Sequence, residues 1–252
     1  MPKICTKGIV TDYTDYRDND RMLTLFTIER GRMDVKAPGC RKSESKLLAG
    51  TQLFAFCEFE LYMSAAGKLT VTSCDLLESF YPIREDYERF MAASAAVRLC
   101  CLTVQSEDEN KALFSLLYHT LSFLSYGQNG PDNLFMAFLL RCLNCLGLCP
   151  SITECASCGK SLVSETKLRF STIRGGACCS ACAGEAAQIS PTALEAMRRM
   201  LKLADNELGR VVLKDALKNE IMTALVPYCE HYVDGSDRIL SAFHNSINRP
   251  SI

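Results

Sequence analysis

Leu53-Phe54-Ala55-Phe56-Cys57-Glu58-Phe59-Glu60-Leu61-Tyr62-Met63 decides how the first third of the chain is read. Its side chains alternate. Leu53, Ala55, Cys57, Phe59, Leu61 and Met63 fall on one face; Phe54, Phe56, Glu58, Glu60 and Tyr62 fall on the other. A period of two is that of an extended strand with one buried face. Downstream, Ala65-Ala66-Gly67 makes a hairpin turn into a further strand, Lys68 to Ser73. Upstream, Ile4 to Tyr13 and Met22 to Ile28 are rich in β-formers, with a polar turn between them at Asp15 to Asp20. Several short strands within 80 residues predict a small barrel or sandwich, and the barrel is preferred.

Past Pro82 the texture becomes helical, so a domain boundary is expected between Phe80 and Arg84. Tyr87 to Val104 is rich in Ala, Leu and Met. Ser106, followed by Glu107 and Asp108, reads as the N-cap of a second helix with Leu113, Leu116, Leu117, Leu121 and Leu124 on one face. A third helix runs from about Asn133 to Leu146, stopped by Gly147 and Pro150. Ser190-Pro191 supplies an N-cap and a proline in the first turn of the next helix. Helical patterns continue to about Ala224, and a last short helix spans Asp237 to Ser246 after the turn Asp234-Gly235-Ser236.

Between these helices stands the sharpest motif, Cys155-Ala-Ser-Cys158 and Cys179-Ser-Ala-Cys182. Two C-x-x-C turns about twenty residues apart have the spacing of a zinc ribbon. Each turn brings two thiolates to one cation, and two turns complete a tetrahedral sulfur cage. Gly159 suits the positive φ that wraps such a turn. Strand-like Lys167 to Ile173, then Gly175-Gly176, returns the chain to the second pair. Soft thiolates favour Zn²⁺, one per chain, and four of them leave no open position, so the role expected is structural. Cys178 adjoins Cys179 and competes with it, at a less regular spacing. Cys142, Cys145 and Cys149 share one helical face, where small apolar side chains pack.

Composition narrows the function classes. The chain has 252 residues, 48% of them hydrophobic and 23% charged, with a formal net charge of −1. That is globular rather than disordered, and any nucleic-acid binding must come from a local patch. Fifteen cysteines with no apparent signal peptide or membrane-spanning run predict reduced thiols in a cytosol. Phosphate-cradling glycine motifs are absent, and His119, His231 and His244 fit no catalytic motif. Asp12, Asp15, Asp18 and Asp20 are a conceivable Mg²⁺ cluster for nuclease chemistry, but read better as a solvated turn. From Arg30 to Lys46, six cations (Arg30, Arg32, Lys36, Arg41, Lys42, Lys46) face two carboxylates, Asp34 and Glu44. A basic loop on a small barrel suits a single-stranded phosphate backbone, with Phe54, Phe56 or Tyr62 as candidates for base stacking.

These segments follow the order found in RecO proteins. Lys7-Gly8-Ile9-Val10 resembles the family's first strand. Asp20-Arg21-Met22-Leu23-Thr24-Leu25-Phe26-Thr27 with Gly31, and Gly39-Cys40-Arg41-Lys42 with Ser45, resemble later family segments. Leu139 to Gly147 leading into Cys155-x-x-Cys158-Gly159, and Gly175-Gly176 before Cys179-x-x-Cys182, complete the likeness over residues 1 to about 190. Leu225 to Phe243 is a weaker match. The resemblance implies an α+β multidomain chain: an N-terminal OB-fold β-barrel (1–80), an α-helical domain (81–150 and 189–252) and an embedded zinc module (151–188). It implies a non-enzymatic mediator of DNA repair and recombination. Such a mediator binds single- and double-stranded DNA, anneals complementary strands and helps load RecA onto coated single strands. Its partners would be RecR and the acidic tail of single-strand-binding protein, at the bacterial nucleoid in the cytoplasm. Phosphate contacts would fall to Arg32, Lys36, Arg41, Lys42 and Lys46, with Lys7 and Arg21 beside them. The alternative is a zinc-ribbon adaptor that binds protein only.

Overall fold

A computed structural model describes residues 3–182 and 184–247. The chain divides into two compact units, Met1–Ser125 and Tyr126–Ile252.

The first unit is built on five strands, β1 (Lys3–Tyr16), β2 (Asp20–Thr27), β3 (Gly31–Ala37), β4 (Phe56–Met63) and β5 (Leu69–Glu78). They close into a barrel in the order β1-β2-β3-β5-β4, with β3 and β5 parallel and the other pairs antiparallel. This bears out the barrel expected from the alternation. Cys57, Phe59 and Leu61 point inward and join Val10, Leu23, Leu25, Met33, Val35 and Val71 in one dry core. Closure removes the unpaired edges that an open sheet exposes.

Two parts of the expected strand differ. It begins at Phe56, and Phe54 turns out of it at φ 72°. The ring of Phe54 is fully buried, 5.7 Å from Phe90. Burial of a large aromatic offsets the strain of a left-handed non-glycine residue. Phe90 belongs to α1 (Tyr87–Thr103), capped by the Asp86 carboxylate, which accepts from the Arg89 amide. The following helix, α2 (Lys111–Tyr126), lays Phe114 and Tyr118 against Phe26, Phe56 and Phe80, with ring centres 5.3–6.0 Å apart.

The cap of α2 is also displaced from its expected place. Asn110 accepts from the Leu113 amide at 2.9 Å, whereas Ser106 bridges Gly31 through its backbone. Arg32 N donates to Gln105 O and Glu107 N to Arg30 O, so this segment is tied to the β2–β3 hairpin rather than to the helix.

The second unit holds α3 (Pro131–Cys145), β6 (Leu168–Ser171), β7 (Gly176–Cys179), β8 (Ala187–Ile189), α4 (Pro191–Lys202), α5 (Asp215–Tyr232) and α6 (Ser236–Ile247). Ser190 caps α4 as expected, accepting from the Ala193 amide at 3.1 Å. α5 runs past Ala224 and through Pro227. Tyr228 and Cys229 are buried, Tyr228 meets the Phe170 ring at 5.8 Å, and the Tyr232 hydroxyl donates to Thr172 O. Those contacts outweigh the one backbone bond that a proline removes.

Replacing Asn110 with alanine should cost about 1 kcal/mol of stability, while Ser106→Ala should lie within about 0.5 kcal/mol of the parent. Urea unfolding of the two variants reads the difference directly.

Candidate metal centre and basic barrel end

The four sulfurs of Cys155, Cys158, Cys179 and Cys182 all lie within 4.8 Å of one another, the only such group of potential ligands among the described residues. The first turn spans Cys155–Gly159 and is closed by Gly159 N donating to Cys155 O at 2.9 Å, with Gly159 at φ 72°. The second begins at the end of β7, where Cys182 N donates to Cys179 O at 3.0 Å. Ala156 N donates to Ala177 O, which fixes the first turn on β7. Gly176, at φ 146°, lies so near the Ser151 backbone that a Cβ would collide with it.

The sulfurs suit a cation. A tetrahedral ion with bonds of about 2.3 Å needs sulfurs roughly 3.8 Å apart, and Cys158 Sγ lies 3.9 Å from Cys179 Sγ. Burial alone would raise the Cys155 thiol. The amides of Cys158, Cys179 and Ser157 converge on it and hold it at about 6, with Cys179 N at 3.4 Å from Cys155 Sγ. Cys182, sharing protons with Cys158 and Cys179, is pushed up to about 12. The converging amides thus favour negative charge at Cys155, while hydrogen bonds with neighbouring thiols oppose it at Cys182. Cys178 is buried in β7, and burial raises its thiol. Burial likewise raises Cys142, Cys145 and Cys149, which fits packing rather than ligation.

Hydrogen bonds hold the module to the helices of its own unit. Arg198 of α4 donates through Nε to Ile152 O at 2.9 Å, and Ser190 Oγ donates to Glu220 of α5 at 3.0 Å.

On the barrel, the basic residues divide into paired and open groups. Arg21 is mostly buried: it pairs with Asp15 at 3.0 Å, donates to Thr51 O and lies 4.0 Å over the Tyr13 ring. Lys36 pairs with Asp20 at 2.8 Å; that lysine, then the Gly39 amide, holds the Asp20 carboxyl below its ordinary range. Arg41 reaches Asp15 at 3.4 Å, and its amide donates to Asn19 O, so the loop after β3 folds back on the β1–β2 turn. Beside it a concavity of about 670 Å³ is lined by Asn19, Gly39, Arg41, Lys42 and residues 43–45, Glu44 among them. Lys42 and Lys46 are exposed and form no ion pair among the described residues.

Two of the expected contacts lie elsewhere. Arg32 pairs with Asp34 at 3.6 Å, near the other end of β3. Lys7 stands opposite Glu58, eight residues along β1 from Asp15, or roughly 26 Å at the rise of a strand. Phe54 is wholly buried and Phe56 packs on α2, so neither offers a face to a base. Tyr13 and Tyr16 of β1, about two-fifths exposed, are rings that sequence reasoning passed over, with Lys36 5.4 Å and Arg17 5.2 Å from the Tyr16 ring. Asp12, Asp15, Asp18 and Asp20 form no metal-ligand group among the described residues, and Asp15 and Asp20 are occupied by cations.

Comparison with known proteins agrees with this architecture. Residues 1–80 match the family model "Recombination protein O N terminal", and residues 84–239 match "Recombination protein O C terminal". The chain belongs to the RecO family. The DNA repair protein RecO of Moorella thermoacetica is 30% identical over 251 residues, covering 98% of this chain and 92% of that protein. That of Desulforamulus reducens is 30% identical over 230 residues, 90% of this chain and 88% of the relative. The RecO of Roseiflexus sp. is 34% identical over 241 residues, 94% and 83%. The family is one of DNA repair proteins, and the barrel is that of its N-terminal domain. Among the described residues no helix is long and apolar enough to cross a membrane.

Cys155→Ser and Cys182→Ser should each lose bound metal and lower the melting temperature, because metal-coupled folding goes with the ligand. Cys178→Ser should retain one metal per chain. Elemental analysis together with thermal melting checks both; unchanged melting with a full metal complement in Cys155→Ser would sink the assignment.

Proposed function

We propose that this RecO-family protein binds single- and double-stranded DNA at the end of its barrel and anneals complementary strands without cleaving them. The observation that carries the reading is the loop after β3. It presents Lys42 and Lys46 without counter-ions beside Arg41, over a concavity, on a barrel of the type that binds nucleic acid through its loops and one strand face. Phosphates are the natural counter-ions for such a loop. Arg41 and Lys36 join by exchanging Asp15 and Asp20 for phosphate, and Arg21 holds the hairpin in place. Arg32 and Lys7 serve a separate stretch of strand.

In this reading the metal is Zn²⁺, one per chain, held by Cys155, Cys158, Cys179 and Cys182 as a staple for residues 151–188. Four thiolate ligands leave it no open position for chemistry. The helices of its own unit, α3 to α6, form the frame of that module. The wider task is recombination mediation: handing strands to RecA with RecR, and engaging the tail of single-strand-binding protein, in the cytoplasm at the nucleoid.

One observation favours the rival reading as a zinc-ribbon protein adaptor. The pairs Lys36–Asp20, Arg41–Asp15 and Arg32–Asp34 neutralise much of the basic segment. The two readings part on salt dependence. With three to five phosphate contacts, the log–log slope of single-strand affinity against salt should be about −2 to −3.5. Reversing charge with Arg41→Glu and Lys42→Glu should flatten it. Titration at several salt concentrations decides; affinity that does not change with salt supports the adaptor.

A further inference from the structure

Outside the basic loop, the first unit holds an arginine of a different kind. Arg84 closes the 3-10 turn Tyr81–Glu85, which links β5 to α1. Its guanidinium is half-buried, yet it has no carboxylate partner among the described residues. One nitrogen, Nη2, donates to Ser79 O at 3.0 Å. Nε is buried with no hydrogen-bond partner. By contrast, Arg21, Arg30, Arg41 and Arg89 in the same unit each have a carboxylate within 3.6 Å. Removing a cation from water without a counter-charge is costly, so a half-buried arginine left unpaired points to an anion supplied from outside.

Its surroundings are aromatic. The Tyr81 ring centre lies 5.5 Å from Arg84 Cζ, and Tyr81 is 55% exposed. Burial lowers the Arg84 pKa. Tyr81 and Arg84 thus pair an exposed ring with a half-buried guanidinium. The turn that presents Tyr81 and Arg84 is strained and pinned. Phe80 adopts φ 46°, its ring is fully buried 5.8 Å from Tyr118, and Glu78 accepts from the amides of Ser79 and Phe80. Strain of this kind persists only where the surroundings fix it, and it gathers at binding sites.

We infer that Tyr81 and Arg84 form a nucleotide subsite for single-stranded DNA, a phosphate on the remaining nitrogen of Arg84 and an unpaired base against Tyr81. This rests on the DNA-binding reading of the barrel and adds to it a preference for single strands. A duplex offers phosphates but keeps its bases stacked inside, so only a single strand can use both halves of the subsite.

The chain has nine tyrosines and no tryptophan, so base stacking is read directly as loss of tyrosine emission. The full-length protein is titrated with a thymidine oligonucleotide and with a duplex of equal length, as parent, Tyr81→Leu, Arg84→Gln and Lys42→Glu. Tyr81→Leu should weaken single-strand binding about 5- to 100-fold and remove part of the emission loss, with duplex affinity changed less than about twofold. Arg84→Gln should weaken the single strand similarly; if it fails to fold, the exposed Tyr81 still decides. Equal losses for single strand and duplex overturn the subsite. So does unchanged binding by Tyr81→Leu when Lys42→Glu weakens both, an outcome that leaves the basic loop standing. Absence of binding to either DNA by the parent removes the barrel reading and the subsite together.

Discussion

Closing a five-stranded sheet on itself gives every strand two neighbours, and β1 meets its two largely in succession along its length. Its fourteen residues pair with β4 from Lys3 to Ile9 and with β2 from Gly8 to Tyr16, with the register shifting between Val10 and Asp12. Such an irregularity bends the strand and raises its twist, which turns it from one neighbour to the next. The parallel pairing of Val35 and Lys36 with Leu69 and Thr70 completes the circle. The far half of β1 carries Tyr13, Asp15 and Tyr16, and the loop after β3 is anchored to it through Arg41, Asn19 and Asp15. The placement of the open lysines therefore follows from strand pairing rather than from any interaction of their own.

That loop also approaches the core closely. A Cβ on Gly50 would stand 2.5 Å from Cys74 Sγ and 3.0 Å from Cys57 Sγ, so glycine alone lets the chain pass over the two thiols. In the second unit the logic is similar, with Gly176 admitting Ser151 to the edge of the metal module. There backbone amides, that of Cys179 among them at 3.4 Å, converge on Cys155 Sγ and favour its thiolate. Each unit thus fixes its functional groups with backbone geometry first and charge second.

The four cysteines were legible in sequence because their spacing is local and metal chemistry allows few arrangements. The barrel was legible because alternation over Leu53 to Met63 reports a buried face. The start of that strand was not: Phe54 leaves it to meet Phe90, a partner thirty-six residues away in sequence. The N-cap of α2 was misplaced because Ser106 and its acidic neighbours imitate a cap while the backbone there is engaged by Arg30 and Arg32. The basic segment showed its charge but not its neutralisation, since Asp15 and Asp20 reach Arg41 and Lys36 across strands. Arg84 showed nothing at all. Its importance lies in a missing counter-ion, which only the fold reveals.

Annealing of two complementary labelled single strands, bare and then coated with single-strand-binding protein, tests the central claim most directly. The account predicts that the metal-replete protein speeds pairing on both substrates, and that the double substitution Arg41→Glu, Lys42→Glu abolishes the effect while folding is retained. No acceleration on either substrate by a folded protein with its metal in place would contradict it.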